Sequence, residues 1–282
     1  MSSIINAFQS ELDTAGYIIW VIRICQVAAS TLVLYEHVIT LDQEIKYIWK
    51  KFCLATFLYI IIRYVGDIVA ITSIIALMVP PKSEEFCKVV ISVQGWLPLI
   101  LLFPTQAVLQ IRIYALCRRS RKILSLMLVF YVAEMITLVA LVVVITQDVE
   151  LLQVPFLDIA LCSGPRASTF SIGVTISILS FEGLLFIILL WVVIRDSLTS
   201  RGFFGRRVFE ALVRGNVFYF VCVLAICLFD VIVLKTLGED WLQLTASISD
   251  AVEVTVGCRL ILNLHASIFR DAPPELDAGS DV

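Results

Sequence analysis

The chain has 282 residues, of which 60% are apolar and 16% charged, with a formal net charge of −3. Soluble domains carry about a quarter charged residues, and a mean hydropathy of +0.97 exceeds what one globular core buries. Composition therefore makes lipid the solvent, and it excludes an ordinary soluble enzyme or a nucleic-acid binder.

Seven apolar runs are long enough to cross about 30 Å of hydrocarbon at about 1.5 Å per residue. They lie near 17–39, 52–79, 89–115, 123–146, 169–194, 215–237 and 241–263. The expected fold is an all-α membrane protein, a single seven-transmembrane-helix bundle over residues 1–268. Residues 269–282 form a short acidic tail with Pro273 and Pro274, expected to be disordered. No basic segment leads into a short apolar region with a small-residue cleavage site, so no removable signal peptide is expected.

Between the first two runs lies LYEHVITLDQEIKYIWKKFCLATFLYIIIRY, residues 34–64. Thr40 and Gln43 fit a capping box, and Asp42 and Glu44 enrich a helical first turn, so a polar loop is expected there. Tyr47 and Trp49 suit a membrane–water interface, with Lys46, Lys50 and Lys51 as its positive flank. In the third run Pro98 and Pro104 predict a packed bend.

Orientation follows from the basic residues. Thirteen of them fall on one set of connections and the tail (Lys46, Lys50, Lys51, Arg118, Arg119, Arg121, Lys122, Arg195, Arg201, Arg206, Arg207, Arg214 and Arg270), against three on the other (Lys82, Lys88 and Arg166). The positive-inside rule then places the N-terminus outside and the C-terminus in the cytosol. Of the basic residues near the inner ends, Arg112, Arg118, Arg119, Arg206 and Arg207 are candidates for coupling to a cytosolic partner. Between the fifth and sixth runs, Phe204, Val208, Ala211 and Leu212 recur at helical spacing, which fits either an interfacial amphipathic segment or an early start of the sixth helix.

Charges inside the runs are costly and need internal partners. Arg23, Gln26, Ser30 and His37 stripe the first run; Tyr59, Arg63 and Asp67 repeat at intervals of four in the second; Ser171, Thr175 and Glu182 stripe the fifth; Ser247, Asp250, Glu253 and Gly257 stripe the seventh. Glu134 and Asp230 are more isolated. Together Arg23, Arg63, Asp67, Glu134, Glu182, Asp230, Asp250 and Glu253 form a candidate buried polar or ligand network, in which Arg63 and Asp67 can pair within one helix turn. The same residues also serve as plain helix–helix glue.

Cys87 and Cys162 are the cysteines on the expected outer side, and a disulfide between them would tether the long outer loop over the bundle mouth in an oxidising compartment. That arrangement resembles the bridge from third helix to second outer loop in G-protein-coupled receptors. Cys117 beside Arg118 and Arg119 suits palmitoylation. With two histidines, and without CxxC, HExxH, GxSxG or a P-loop, the chain offers no metal centre, cofactor or catalytic motif, so no enzyme is expected.

The block YEHVITLDQEIKYIW followed by FLYIIIRY resembles the signature of a family of basidiomycete fungal multi-span membrane proteins that carries an N-terminal domain of unknown function. In that family a tyrosine and an acidic residue precede a Thr-Leu-Asp-x-Glu turn, a tryptophan and an Arg-Tyr pair. Here they are Tyr35, Glu36, Thr40, Leu41, Asp42, Glu44, Trp49, Arg63 and Tyr64, within a signature spanning about 17–67. Weaker similarity continues in IRIYALCRRSRK, ALVRGNVFYF and CRLILNLHAS. Departures are Glu36 for aspartate, Gly215-Asn216 for Asp-Gly and His265 for arginine. The resemblance implies a seven-span fold and no established activity.

Three functions fit. The first is a receptor-like bundle in the plasma membrane, sensing an outside ligand and signalling through basic inner loops to a cytosolic protein. Against it, Arg112-Ile113-Tyr114 stands where receptors carry Asp-Arg-Tyr, and no Asn-Pro-x-x-Tyr occurs in the seventh run. The second is a proton-coupled transporter or channel using the midplane carboxylates. The third is a non-catalytic membrane scaffold.

Overall fold

Lipid offers no hydrogen bonds, so an apolar run that crosses it satisfies its backbone by coiling into a helix. A computed structural model of the chain describes residues 2–49, 54–79, 83–117, 119–147, 150–154, 159–163, 167–199, 206–238 and 241–271. Side chains are described over 16–49, 54–76, 83–117, 119–147, 172–195, 217–238 and 243–263, and at 79 and 241. Seven helices result: α1 (Ser2–Tyr47), α2 (Leu54–Met78), α3 (Glu84–Leu116), α4 (Arg121–Gln147), α5 (Ala167–Thr199), α6 (Arg206–Thr236) and α7 (Leu242–Asp271). Six of these, α1 to α6, are long and apolar enough to cross a membrane. The chain is accordingly a multi-pass membrane protein. Large apolar side chains such as Trp20, Val38, Val129, Ile136, Ile187 and Ile232 cover its outer surface, as lipid contact requires.

α7 is less apolar because it carries Ser247, Asp250, Glu253 and Arg259. Its neighbours explain how it tolerates them. Each helix packs on the next in sequence, and α7 closes the ring against α1 while also touching α2 and α3. The main core cluster runs through the ring interior, with Tyr59, Leu109, Ile113, Phe181, Leu185, Tyr219, Val254 and Ile261 buried. Gly66 sets how closely α2 approaches α7: a Cβ there would fall 2.6 Å from a methyl of Val254.

Two local features differ from expectation, and one open alternative is decided. The polar loop foreseen around Thr40–Glu44 is absent, because α1 continues unbroken to Tyr47. The Thr40 hydroxyl donates back to the Glu36 carbonyl at 2.6 Å inside the helix instead of capping a new one, and Lys46 sits favourably in the last turn. The connection between α4 and α5 is a hairpin, β1 (Glu150–Val154) against β2 (Ile159–Ser163), antiparallel with Leu151 opposite Cys162. A hairpin satisfies its own backbone groups, and the apolar strands LLQV and IALC rest against α3. The fold is all-helical as expected, with this one short hairpin in a connection. Finally, α6 starts at Arg206, which is the early start rather than a separate interfacial segment; Phe204 lies outside the described residues.

α3 remains continuous through Pro98 and Pro104. It begins where Ser83 caps the Phe86 N–H at 3.2 Å, with Glu84 and Glu85 in the first turn. It ends in a tight link to α4 in which Arg119 takes a positive φ of 58°.

Candidate functional site

Both α1 and α2 present a polar residue every fourth position, and the two series mesh. On α1 the positions are Glu36, Thr40 and Glu44; on α2 they are Tyr59, Arg63 and Asp67. The helices run antiparallel, so Tyr59 meets Glu44, Arg63 meets Thr40, and Asp67 meets His37.

Glu44 is the anchor at one end. It is fully buried (0% exposed) and accepts from the Tyr59 hydroxyl at 3.3 Å, the Trp49 indole at 3.2 Å and the Tyr64 hydroxyl at 3.4 Å. The Arg63 Nε lies 3.8 Å from its second oxygen. At 1% exposure Arg63 is an interior cation, and a buried guanidinium is tolerated only where charge and acceptors surround it. Its Nη2 supplies that contact by donating to the Thr40 hydroxyl and to the Glu36 carbonyl, the latter at 3.1 Å. One arginine thus joins the side chain of one α1 residue and the backbone of another.

The Glu36 carboxylate turns the other way, toward α7. Arg259 grips it bidentately, with Nη2 at 2.6 Å and Nε at 3.0 Å. A planar guanidinium matches two carboxylate oxygens, which makes this the strongest geometry an ion pair offers. Beside it, His37 Nδ1 lies 2.5 Å from Asp67 Oδ2, and the His37 ring meets Tyr64 edge-on at 5.6 Å between centroids. Nearer the end of α3, buried Arg112 donates from Nη2 to the Leu260 carbonyl of α7. Four helices are tied together: α1 to α2, α1 to α7, and α3 to α7.

A second polar group sits among α3, α4 and α5. Gln106 donates to Glu134 at 3.1 Å. Glu182 is buried, and among the described residues neither of its oxygens makes a hydrogen bond of ordinary length, although Gln106 lies close enough to act on it; Glu253 of α7 lies within electrostatic reach of both carboxylates. A third lies among α1, α2, α6 and α7. There the Ser247 hydroxyl donates to the Gln26 side-chain carbonyl, and Asp230 of α6 sits against Thr245 and Ser249.

Residues 24–68 match the model of a family of unknown function, DUF6533. The chain carries that domain at its first two helices. No curated protein matches the chain. The matched stretch contains every α1 and α2 member of the meshed ladder, so the contacts that hold these two helices in register lie within it.

Several expectations are corrected by this geometry. The candidate network is three groups rather than one. Arg63 does not pair with Asp67 in its own helix; it reaches across to α1, and Asp67 takes His37 instead. Arg23 is exposed and joins none of the groups. Of the family-signature residues, Tyr35 and Asp42 are exposed, while Glu36, Thr40, Glu44 and Arg63 are buried. Arg112 is a buried interhelical tie rather than a displayed cytosolic group, whereas Arg119 is exposed. The Arg118, Arg206 and Arg207 side chains lie outside the described residues, as does that of Cys162. Glu36 and Glu44 were missing from the expected buried set, and Arg259, exposed at the rim, from the expected network. Glu36, Thr40 and Glu44 carry the same four-residue spacing that marks Tyr59, Arg63 and Asp67, so the signal was present; the capped-turn reading of Thr40–Glu44 hid it.

Among the described residues, no group of His, Cys, Asp and Glu is arranged to hold a metal ion. Cys87 is fully buried at the first turn of α3 and is not a free thiol.

Proposed function

We propose that the chain is a non-catalytic, receptor-like seven-helix bundle of the plasma membrane, with its N-terminus outside and its C-terminus in the cytosol. In this reading α7 is the seventh span, supported by its packing along α1, α2 and α6. An outside ligand changes the bundle, and the change reaches a cytosolic signalling protein through the basic inner loops. The observation that carries the reading is the set of ties Arg63 to Thr40, Arg259 to Glu36 and Arg112 to Leu260. All three lie in the half of the bundle that leads to the basic connections, and each joins helices that a signal must move apart. Breakable polar contacts between packed helices are the material of two-state switches.

On the opposite face we place a Cys87–Cys162 disulfide fastening the hairpin to α3. It is supported by the engaged sulfur of Cys87 and by the packing of β2, which contains Cys162, on α3.

The test uses the purified chain in nanodiscs with a panel of G-protein α subunits. Glu36→Gln and Arg112→Gln weaken the inner ties, so each raises guanine-nucleotide exchange above wild type without added ligand. If wild type and both variants, all folded, leave exchange on every α subunit at background, the receptor reading falls. The resemblance to basidiomycete proteins makes fungal α subunits the first to try.

A second reading, a proton-coupled transporter, is favoured by Glu182, a buried carboxylate whose oxygens make no hydrogen bond of ordinary length among the described residues, although Gln106 lies close enough to act on it. Its test is separate. An imposed pH gradient across proteoliposomes should drive proton flux that Glu182→Gln abolishes.

A further inference from the structure

About ten residues along α1 from Glu36, and so about 15 Å from the ladder, a cleft opens between α1, α2 and α7. The cleft is half open to the outside of the bundle, and its interior has room for about one water-sized occupant. The polar residues lining it are Gln26 and Ser30 of α1, Ser73 of α2, and Ser247 and Asp250 of α7. Gln26, Ser30, Ser73 and Ser247 are all more than nine-tenths buried. Among the described residues, Ser30 and Ser73 make no hydrogen bond, although a helical serine readily donates to the carbonyl one turn back. Their hydroxyls, with no protein partner, open onto the same cleft that Asp250 lines, so an occupant of the cleft would complete their hydrogen bonding.

We infer that this cleft binds a monovalent metal cation, with Asp250 as its charged ligand and Ser30, Ser73, Ser247 and the Gln26 side-chain carbonyl as neutral oxygens. The donor set consists of oxygen alone, which selects a hard cation over zinc, copper or iron. It contains one carboxylate, whereas calcium sites gather six to eight oxygens with several carboxylates and magnesium demands near-ideal octahedral geometry. A single negative charge with neutral oxygens suits sodium or potassium. Asp230 of α6 is within Coulombic reach of Asp250 and strengthens the local attraction for a cation. Arg23, the nearest basic residue along α1, is exposed and does not line the cleft. The ion would bridge the three helices that the ladder and Arg259 tie together farther along. This inference does not depend on the receptor or transporter reading.

The experiment measures binding of radioactive sodium to the purified full chain in nanodiscs by scintillation proximity, with unlabelled sodium, potassium, choline and methylammonium as competitors. The expected result is saturable binding displaced by sodium or potassium and not by choline. Asp250→Asn should weaken it about tenfold to a hundredfold, since hydrogen bonds and contacts to a charged group dominate such a site. Ser30→Ala with Ser73→Ala should weaken it as well while leaving the helices packed, which keeps the test valid where the Asp250 variant fails to fold. Failure of sodium to saturate, equal displacement by choline, or unchanged affinity in the serine double variant overturns the site. Displacement by methylammonium but not by potassium would assign the cleft to an organic ammonium group and also overturn it.

Discussion

Glu36 and Arg259, separated by 223 residues in the chain, form a two-point ion pair between the first and last helices, with contacts of 2.6 and 3.0 Å. The Arg259 side chain is 55% exposed and that of Glu36 only 9%, so the pair lies at the rim of the bundle with its acid turned inward. Through its backbone carbonyl the same Glu36 also receives Arg63. The residue is therefore a junction of α1, α2 and α7.

Such a junction makes the two charges interdependent. A double-mutant cycle on Glu36→Gln and Arg259→Gln, read by thermal unfolding in detergent, should give a coupling of about 1 kcal/mol, the range for a partly exposed pair with good geometry. Strictly additive losses would mean that the two side chains do not act on each other.

Arg63 should be far less forgiving. Replacing it with Met leaves Glu44 buried without its cation, and removing one partner of a buried pair costs about 3–5 kcal/mol. The expected outcome is loss of folded protein in size-exclusion chromatography. Arg63→Met combined with Glu44→Gln should recover part of that loss, because the orphaned charge is gone. Arg63→Lys should be intermediate, since one ammonium cannot face Glu44 with one nitrogen while a second donates to Thr40 and Glu36.

Gly66 offers a test of packing alone. Gly66→Ala puts a methyl 2.6 Å from Val254, whose branched side chain has little freedom to turn aside. A destabilisation of about 1–3 kcal/mol is expected, and Val254→Ala in the same chain should reverse much of it. Full stability of the single variant would show that α2 and α7 pack less closely than described.

For the proposed bridge, Cys87→Ser and Cys162→Ser should each lower the unfolding temperature to the same extent, and the double variant no further. A loop of this length is worth about 4 kcal/mol by chain entropy. Mass spectrometry of the unreduced protein settles the pairing directly: separate alkylation of both cysteines without reductant counts against it.

The helices were legible in the sequence because lipid leaves the backbone no alternative, so long apolar runs read straight into structure. What the reading missed were contacts between runs. Arg63 and Asp67 share a helix face, and local spacing suggested that they pair. Tertiary approach instead gave each a nearer partner on α1, Thr40 and His37, which spacing within α2 cannot reveal. Thr40–Gln43 has a capping pattern, yet a capping pattern is only a local preference, and burying Glu44 under Tyr59 and Arg63 rewards one more turn of helix. Arg259 was overlooked because it stands alone near the end of its run, and its meaning depends on a carboxylate 223 residues away. The hairpin was hidden by its short length between two much stronger helical signals.

The ladder between α1 and α2 behaves like two combs with the same tooth spacing. Glu36, Thr40 and Glu44 recur every four residues, which is close to one helical turn of about 5.4 Å. If α2 slides by one turn along α1, Arg63 leaves Thr40 and arrives at a carboxylate in either direction, Glu36 one way and Glu44 the other. Each stop on such a track supplies an acceptor for the guanidinium. The register the structure shows, with Arg63 at Thr40, is the one in which Asp67 of the same helix also reaches His37 while Arg259 of α7 occupies the Glu36 carboxylate, so those two contacts select one stop among those the spacing offers.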